Sequence, residues 1–162
     1  MSAFQGVRIL DLSQGLAGTM STMLMADFGA EVLKVEPPGG DRLAHKPGYL
    51  TWNRNKLSRT LDLDAPDGHA ELDRLIGGAD VLVCDHAPGV LEALGLDAAT
   101  LTAHHPRLIH VWVPPFGAGG PYAHLPEHHG MLAGLTGAAF RQGSYADQPV
   151  WHVMPMILHG QA

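Results

Sequence analysis

Residues 6–42, GVRILDLSQGLAGTMSTMLMADFGAEVLKVEPPGGDR, constrain the fold of this chain more than any other stretch. Val7 to Leu12 is a short run of β-branched residues and leucines with the pattern of a buried strand. Ser13, Gln14 and Gly15 turn the chain. The small residues and methionines from Ala17 to Phe28 predict a helix, ended by Gly29 at the C-cap position. Glu31 to Glu36 predicts a second strand, stopped by Pro37-Pro38-Gly39-Gly40. Strand, turn, helix and strand in that order make a right-handed βαβ unit, the opening of an open α/β sheet. Ligands of such sheets gather at the carboxyl ends of the strands, so Ser13 to Gly18 and Pro37 to Arg42 are the first places to look.

The rest of the chain continues the alternation. Further strands are expected at Ser58–Leu63, Asp80–Cys84 and Leu108–Val113, and helices at Asp67–Ile76, Gly89–Leu94 and Asp97–Ala103. Asp67 is the expected N-cap of its helix, and Pro88 suits a helix first turn. Strands alternating with helices predict a mostly parallel sheet of five to six strands covered on both faces. After Val113 the texture changes: PPFGAGGPYAHLPEHHG reads as a long loop, and Met131 to Phe140 as a short helix. The final residues look like a chain cut in mid-element.

Composition narrows the function. At 162 residues the chain suits one core-bearing domain. Ten Lys plus Arg against 16 Asp plus Glu give a net charge of -6, which argues against a nucleic-acid surface. A small anionic ligand held by a few local cations and backbone N–H groups remains compatible with that charge. No apolar stretch is long enough to span a membrane, and the first residues lack a secretory pattern, so the expectation is a cytoplasmic chain. A single cysteine, Cys84, fits that compartment and reads as a small buried hydrophobe at a strand end. His124, Glu127, His128 and His129 lie close together, but Pro126 blocks the helical face that an HExxH site needs, so no metal is expected.

As a set, GVRILDLSQGLAG, FGAEVLKVEPPGGDR, NRNKLSRTLDLD, ADVLVCDHAPGVLEALGL, HPRLIHVWVPPFGAGGPYA and GLTGAAF resemble, in order, the N-terminal part of the family III CoA-transferases and the related alpha-methylacyl-CoA racemases. The resemblance implies a Rossmann-like, mostly parallel sheet with flanking helices, with residues 1–122 as a CoA-binding region. Residues 123–162 would hold a loop and the start of an active-site helical segment, truncated relative to the family. It implies coenzyme A or an acyl-CoA as substrate, a carboxylic acid as acceptor, and an interlocked homodimer or a partner subunit. Carried onto this sequence, the CoA-contacting positions are Gln14, Leu16, Ala17, Arg42, Asn53, Arg54, Lys56, Asp85 and His86. Two arginines of the family's Asn-Phe-Arg-Pro-Gly turn and following helix are replaced by Ala87 and Ala93, which removes two phosphate partners.

In the transferases an aspartate attacks the acyl-CoA and forms an aspartyl anhydride. The resemblance puts Pro155 or Met156 at that position, and neither can attack. Asp147 lies in a polar segment upstream and is not expected to substitute. His128 matches the histidine of the racemases, which exchanges a proton beside a thioester. Three expectations follow for the chain: a CoA-transferase-like protein lacking its nucleophile, a non-catalytic CoA-binding or dimer-packing half, or a racemase-like protein working through His128.

Overall fold

A computed structural model describes residues 2–126 and 128–137. Five parallel strands, β1 (Arg8–Asp11), β2 (Glu31–Glu36), β3 (Lys56–Thr60), β4 (Val81–Cys84) and β5 (Ile109–Trp112), lie in the order β3-β2-β1-β4-β5. Among the described residues the helices are α1 (Leu16–Asp27), α2 (Tyr49–Trp52), α3 (Pro66–Gly77), α4 (Val90–Ala93), α5 (Ala98–His104) and α6 (His129–Leu135). No helix of the described residues is long and apolar enough to cross a membrane.

The two faces of the sheet are covered differently. On one, Ile9, Val32 and Val83 pack with Ala26 and Ala30, at and beyond the end of α1. On the other, Leu10, Leu82 and Cys84 join Leu72 and Ile76 of α3, Leu91 of α4 and Leu101 of α5. The strand period of two sends successive residues to opposite layers, so β4 is apolar throughout, while Asp11 of β1 and Lys34 of β2 interrupt the apolar runs of their strands. Cys84 is fully buried, and burial pushes its thiol pKa up to about 12, with the charge of Asp85 adding to the shift. It is an inert part of the core, as the sequence suggests.

α1 starts directly after the β1 turn and ends at Phe28, after which Gly29 takes a φ of +97°. The Gly29 and Ala30 N–H groups reach back to the Ala26 and Met25 carbonyls, both at 3.0 Å. Three expectations from sequence need correction. β3 begins and ends earlier than the predicted Ser58–Leu63, because Lys56 already pairs with Val32 and Thr60 with Glu36. α3 is capped at Ala65 with Pro66 as its first residue, so Asp67 sits inside the first turn. α4 starts after Pro88, with Gly89 at its N-cap in a left-handed conformation (φ +91°). There the Glu92 carboxylate accepts the Gly89 N–H at 2.8 Å.

Candidate functional site

The sheet order reverses between β1 and β4, and the loops leaving those two strands diverge to opposite sides. That is the crevice in which open α/β sheets place their ligands. Here it is bounded by the β1–α1 turn, the segment after β2 and the turn after β4.

The β1–α1 turn stands on buried charge. Asp11 is fully buried and accepts hydrogen bonds from the Ser13 N–H (3.0 Å), the Ser13 hydroxyl, Thr22 Oγ1 (2.6 Å) and Lys56 Nζ (2.9 Å). Lys56 Nζ also donates to the Thr19 carbonyl at 2.8 Å and to Asn53 Oδ1 at 3.2 Å. Beside it, Lys34, 1 % exposed, donates to the Ser13 carbonyl at 2.7 Å and pairs with Asp41 Oδ2 at 2.8 Å. Two cations and two carboxylates thus alternate beneath one turn. Burial raises the Asp11 pKa, but Lys56, Lys34 and the two hydroxyls outweigh it and hold the carboxyl below its ordinary value. Burial lowers the Lys56 pKa, against the pull of Asp11.

A second set of bonds fixes the rim. Arg42 Nε donates to the Gln14 carbonyl at 2.8 Å. The Asp85 carboxylate accepts the Gln14 N–H at 2.9 Å and the Gly15 N–H. Burial raises the Asp85 pKa against those two bonds and the nearby Arg42. N–H groups at the start of a helix are commonly open to an anion. In this turn two of them are instead already satisfied by the chain's own carboxylate. Replacing Asp85 with alanine is expected to leave both without that acceptor and to lower stability by about 1–3 kcal/mol, read as a shifted urea midpoint.

Gly18 completes the turn. A Cβ there would collide with Ser13 Cβ and come within 2.8 Å of Ser13 Oγ, so α1 lies against the turn only because this residue has no side chain.

At the carboxyl edge, on the face of the sheet that α3 and α4 cover, lies a cleft of about 270 Å³. Leu12, Pro37, Pro38, Leu61, Leu63 and Val90 give it apolar walls, and Gln14, Asp62, Asp64 and His86 supply polar groups. The Trp112 Nε1–H holds the His86 carbonyl at 2.8 Å, while Nδ1 of the His86 ring is buried with no hydrogen-bond partner. Burial lowers the His86 pKa, although Asp85 opposes the shift, so the ring is neutral near pH 7. A slightly larger cleft, about 310 Å³, runs between α3 and α5, where His69, His104 and His105 rim a floor of core leucines. It is away from the strand ends, so placement favours the smaller one.

The expected CoA residues therefore divide. Gln14, Leu16, Ala17, Arg42, Asp85 and His86 gather around the carboxyl edge, where Gln14 and His86 line the cleft. Lys56 and Asn53 belong to the buried platform: the Lys56 side chain is 1 % exposed and spent on Asp11. Arg54 goes elsewhere. Its guanidinium binds Asp27, the last residue of α1, which has by then run back toward the amino edge of the sheet. His128 caps α6: its Nδ1 accepts the Gly130 N–H at 3.2 Å. In the neutral ring that bond puts the proton on Nε2 and uses the lone pair that a general base needs. Pro155, Met156 and Asp147 lie outside the described residues.

The strand order and the crevice define an α/β protein with a Rossmann-like parallel sheet whose switch point lies between β1 and β4. The sequence profile of CoA-transferase family III matches residues 4–162, and the chain belongs to that family. It is 45 % identical over 147 residues to the succinyl-CoA–D-citramalate CoA-transferase of Chloroflexus aurantiacus, a match covering 81 % of this chain and 37 % of that protein. The beta subunit of succinyl-CoA–L-malate CoA-transferase from the same organism is 37 % identical over 155 residues, covering 90 % of this chain and 38 % of the subunit. The crystal structure of Rv3272 from M. tuberculosis superposes with a TM-score of 0.90 at 29 % identity, over 99 % of this chain and 48 % of that one. The chain thus spans between 37 % and 48 % of the length of these relatives.

Proposed function

We propose that the chain binds the nucleotide end of coenzyme A in the carboxyl-edge cleft and supplies the CoA-holding portion of a transferase that moves CoA between carboxylic acids. The observation that carries this reading is the cleft itself. Its proline and leucine walls suit a flat heterocycle, and the side-chain carbonyl of Gln14 offers an acceptor to an exocyclic amino group. The buried Nδ1 of His86 adds a polar atom with no partner of its own. A preformed slot with few polar groups is what such a ligand requires. The pantetheine arm would leave along the Gln14–Gly15 turn, which the Asp11, Lys34 and Asp85 bonds hold in place. The cytoplasm, where acyl-CoA pools reside, is the matching compartment. A second subunit, or a second copy of the chain, would complete the site from the other side.

Family membership does not require that this chain turn over by itself. With Pro155 or Met156 at the position of the attacking carboxylate, the covalent step has no nucleophile there. The binding test is calorimetry of the full chain with CoA, followed by a variant with His86→Leu. CoA is expected to bind, and the variant to weaken binding about tenfold through loss of one hydrogen bond and altered wall shape. Absence of heat with CoA would remove the reading. Succinyl-CoA, the donor that several relatives are named for, is the first thioester to assay with a dicarboxylate acceptor. No transfer is expected from the chain alone.

A further inference from the structure

The cleft assigned above to the nucleotide has the wrong charge at its rim for a phosphate. Among the described residues its lining contains no lysine or arginine, and its two carboxylates, Asp62 and Asp64, are both exposed. The basic groups beneath the adjoining turn are spent: Lys34 on Asp41 and the Ser13 carbonyl, Lys56 on Asp11 and the Thr19 carbonyl. The N-terminus of α1, a common seat for phosphate, already holds the Asp85 carboxylate on the Gln14 and Gly15 N–H groups. Arg42 stands outside the lining, where its Nε holds the Gln14 carbonyl. Among the described residues, a cation and an open helix terminus, two usual means of fixing a phosphate, are therefore both missing from the cleft lining.

We propose that the chain recognises the nucleoside and pantetheine arm of its carrier without reading the ribose 3′-phosphate, so that dephospho-CoA and its thioesters are ligands at least as good as CoA. This rests on the CoA reading of the cleft. With the nucleoside seated between the prolines and Leu61–Asp64, a group on the ribose points to the rim. There the two carboxylates repel a dianion and leave a hydroxyl unaffected. They are exposed and screened, so the discrimination is modest, about two- to fivefold in affinity.

Calorimetry of the full chain with CoA and with dephospho-CoA tests this. At about 50 mM salt dephospho-CoA is expected to bind as tightly as CoA or up to about fivefold more tightly, with the gap closing near 300 mM as screening sets in. Asp64→Lys is expected to reverse the order in favour of CoA, and Asp64→Asn to narrow the gap. CoA binding threefold or more tightly than dephospho-CoA to the unmodified chain at low salt would overturn the proposal while leaving the CoA reading standing. Binding of neither ligand would remove both.

Discussion

Lys56→Met is expected to destabilise the fold by about 3–5 kcal/mol, among the largest effects open to a single substitution here. The methionine has nearly the reach of the lysine and fills its space, so packing is not the main loss. What remains is Asp11, fully buried, deprived of the ammonium 2.9 Å away and left with Ser13, Thr22 and the more distant Lys34. The Thr19 carbonyl and Asn53 Oδ1 lose the same donor. A buried charge without its partner is what makes the cost large. Asp11→Asn combined with Lys56→Met removes both charges and is expected to cost clearly less than Lys56→Met alone, as urea melts of the three variants would show.

The same pair sets the response to acid. The folded-state pKa of Asp11 lies below its ordinary 3.8, so its contribution is complete above that value. It disappears as pH falls through the lower, folded pKa. Lys56→Met removes the main partner and should therefore raise the pH at which acid unfolding begins. An unchanged acid midpoint together with an unchanged urea midpoint would show that the ion pair does not support the turn.

The sheet was legible because its strands obey simple patterns. β1, β2 and β4 are short branched runs ended by turn residues, and their predicted positions agree with the structure to within a residue at most ends. β3 was misplaced because it is an edge strand whose residues after Lys56 are exposed, so no hydrophobic pattern marks its start. Leu57 there is 73 % exposed. The platform beneath the site was missed for a different reason. Asp11 and Lys34 sit in apolar strands, where one charged residue reads as an outward-facing position, and their partners Lys56 and Asp41 lie 45 and 7 residues away in sequence. A charged residue at an inward position of a buried strand was the available signal. The family motif points to Gln14, Arg42 and Asp85, which the fold brings together at the carboxyl edge, but not to Asp85 occupying the helix terminus. That depends on how the loops after β1 and β4 meet across the crevice. Residues adjacent in the motif also separate in space: Arg54 and Lys56 are two apart, yet one ends at Asp27 and the other at Asp11.

Gly68→Ala should be the most damaging exchange of one small residue for another. Gly68 is buried in the first turn of α3, where that turn crosses the segment leaving β3. A Cβ at this position would overlap the backbone carbonyl oxygen of Asp62 and lie 2.7 Å from its carbon. A flexible side chain would swing away from such a clash, whereas a carbonyl moves only with its chain. Here the carbonyl already accepts the Ala65 N–H at 3.3 Å, and its segment is anchored to β2 and braced by a local turn. The Leu61 N–H bonds the Glu36 carbonyl at 2.9 Å, and the Asp64 N–H bonds Asp62 Oδ1 at 3.0 Å. Either the loop or α3 must shift, and α3 carries Leu72 and Ile76 into the core. The expected cost is about 2–3 kcal/mol, at the upper end for overpacking, although alanine is the better helix former. Gly89→Ala provides the contrast: its φ is +91° and nothing stands within 4 Å of the added carbon, so only the backbone conformation resists, at about 1 kcal/mol. Because Leu61 to Asp64 line the cleft proposed for the nucleotide, that proposal predicts that Gly68→Ala also weakens CoA binding, whereas a purely helical defect would lower stability alone. Thermal melts of the two variants, with CoA titrations at a temperature where both remain folded, separate these outcomes. Equal stabilities for Gly68→Ala and the parent chain would mean that α3 does not approach the Asp62 carbonyl this closely.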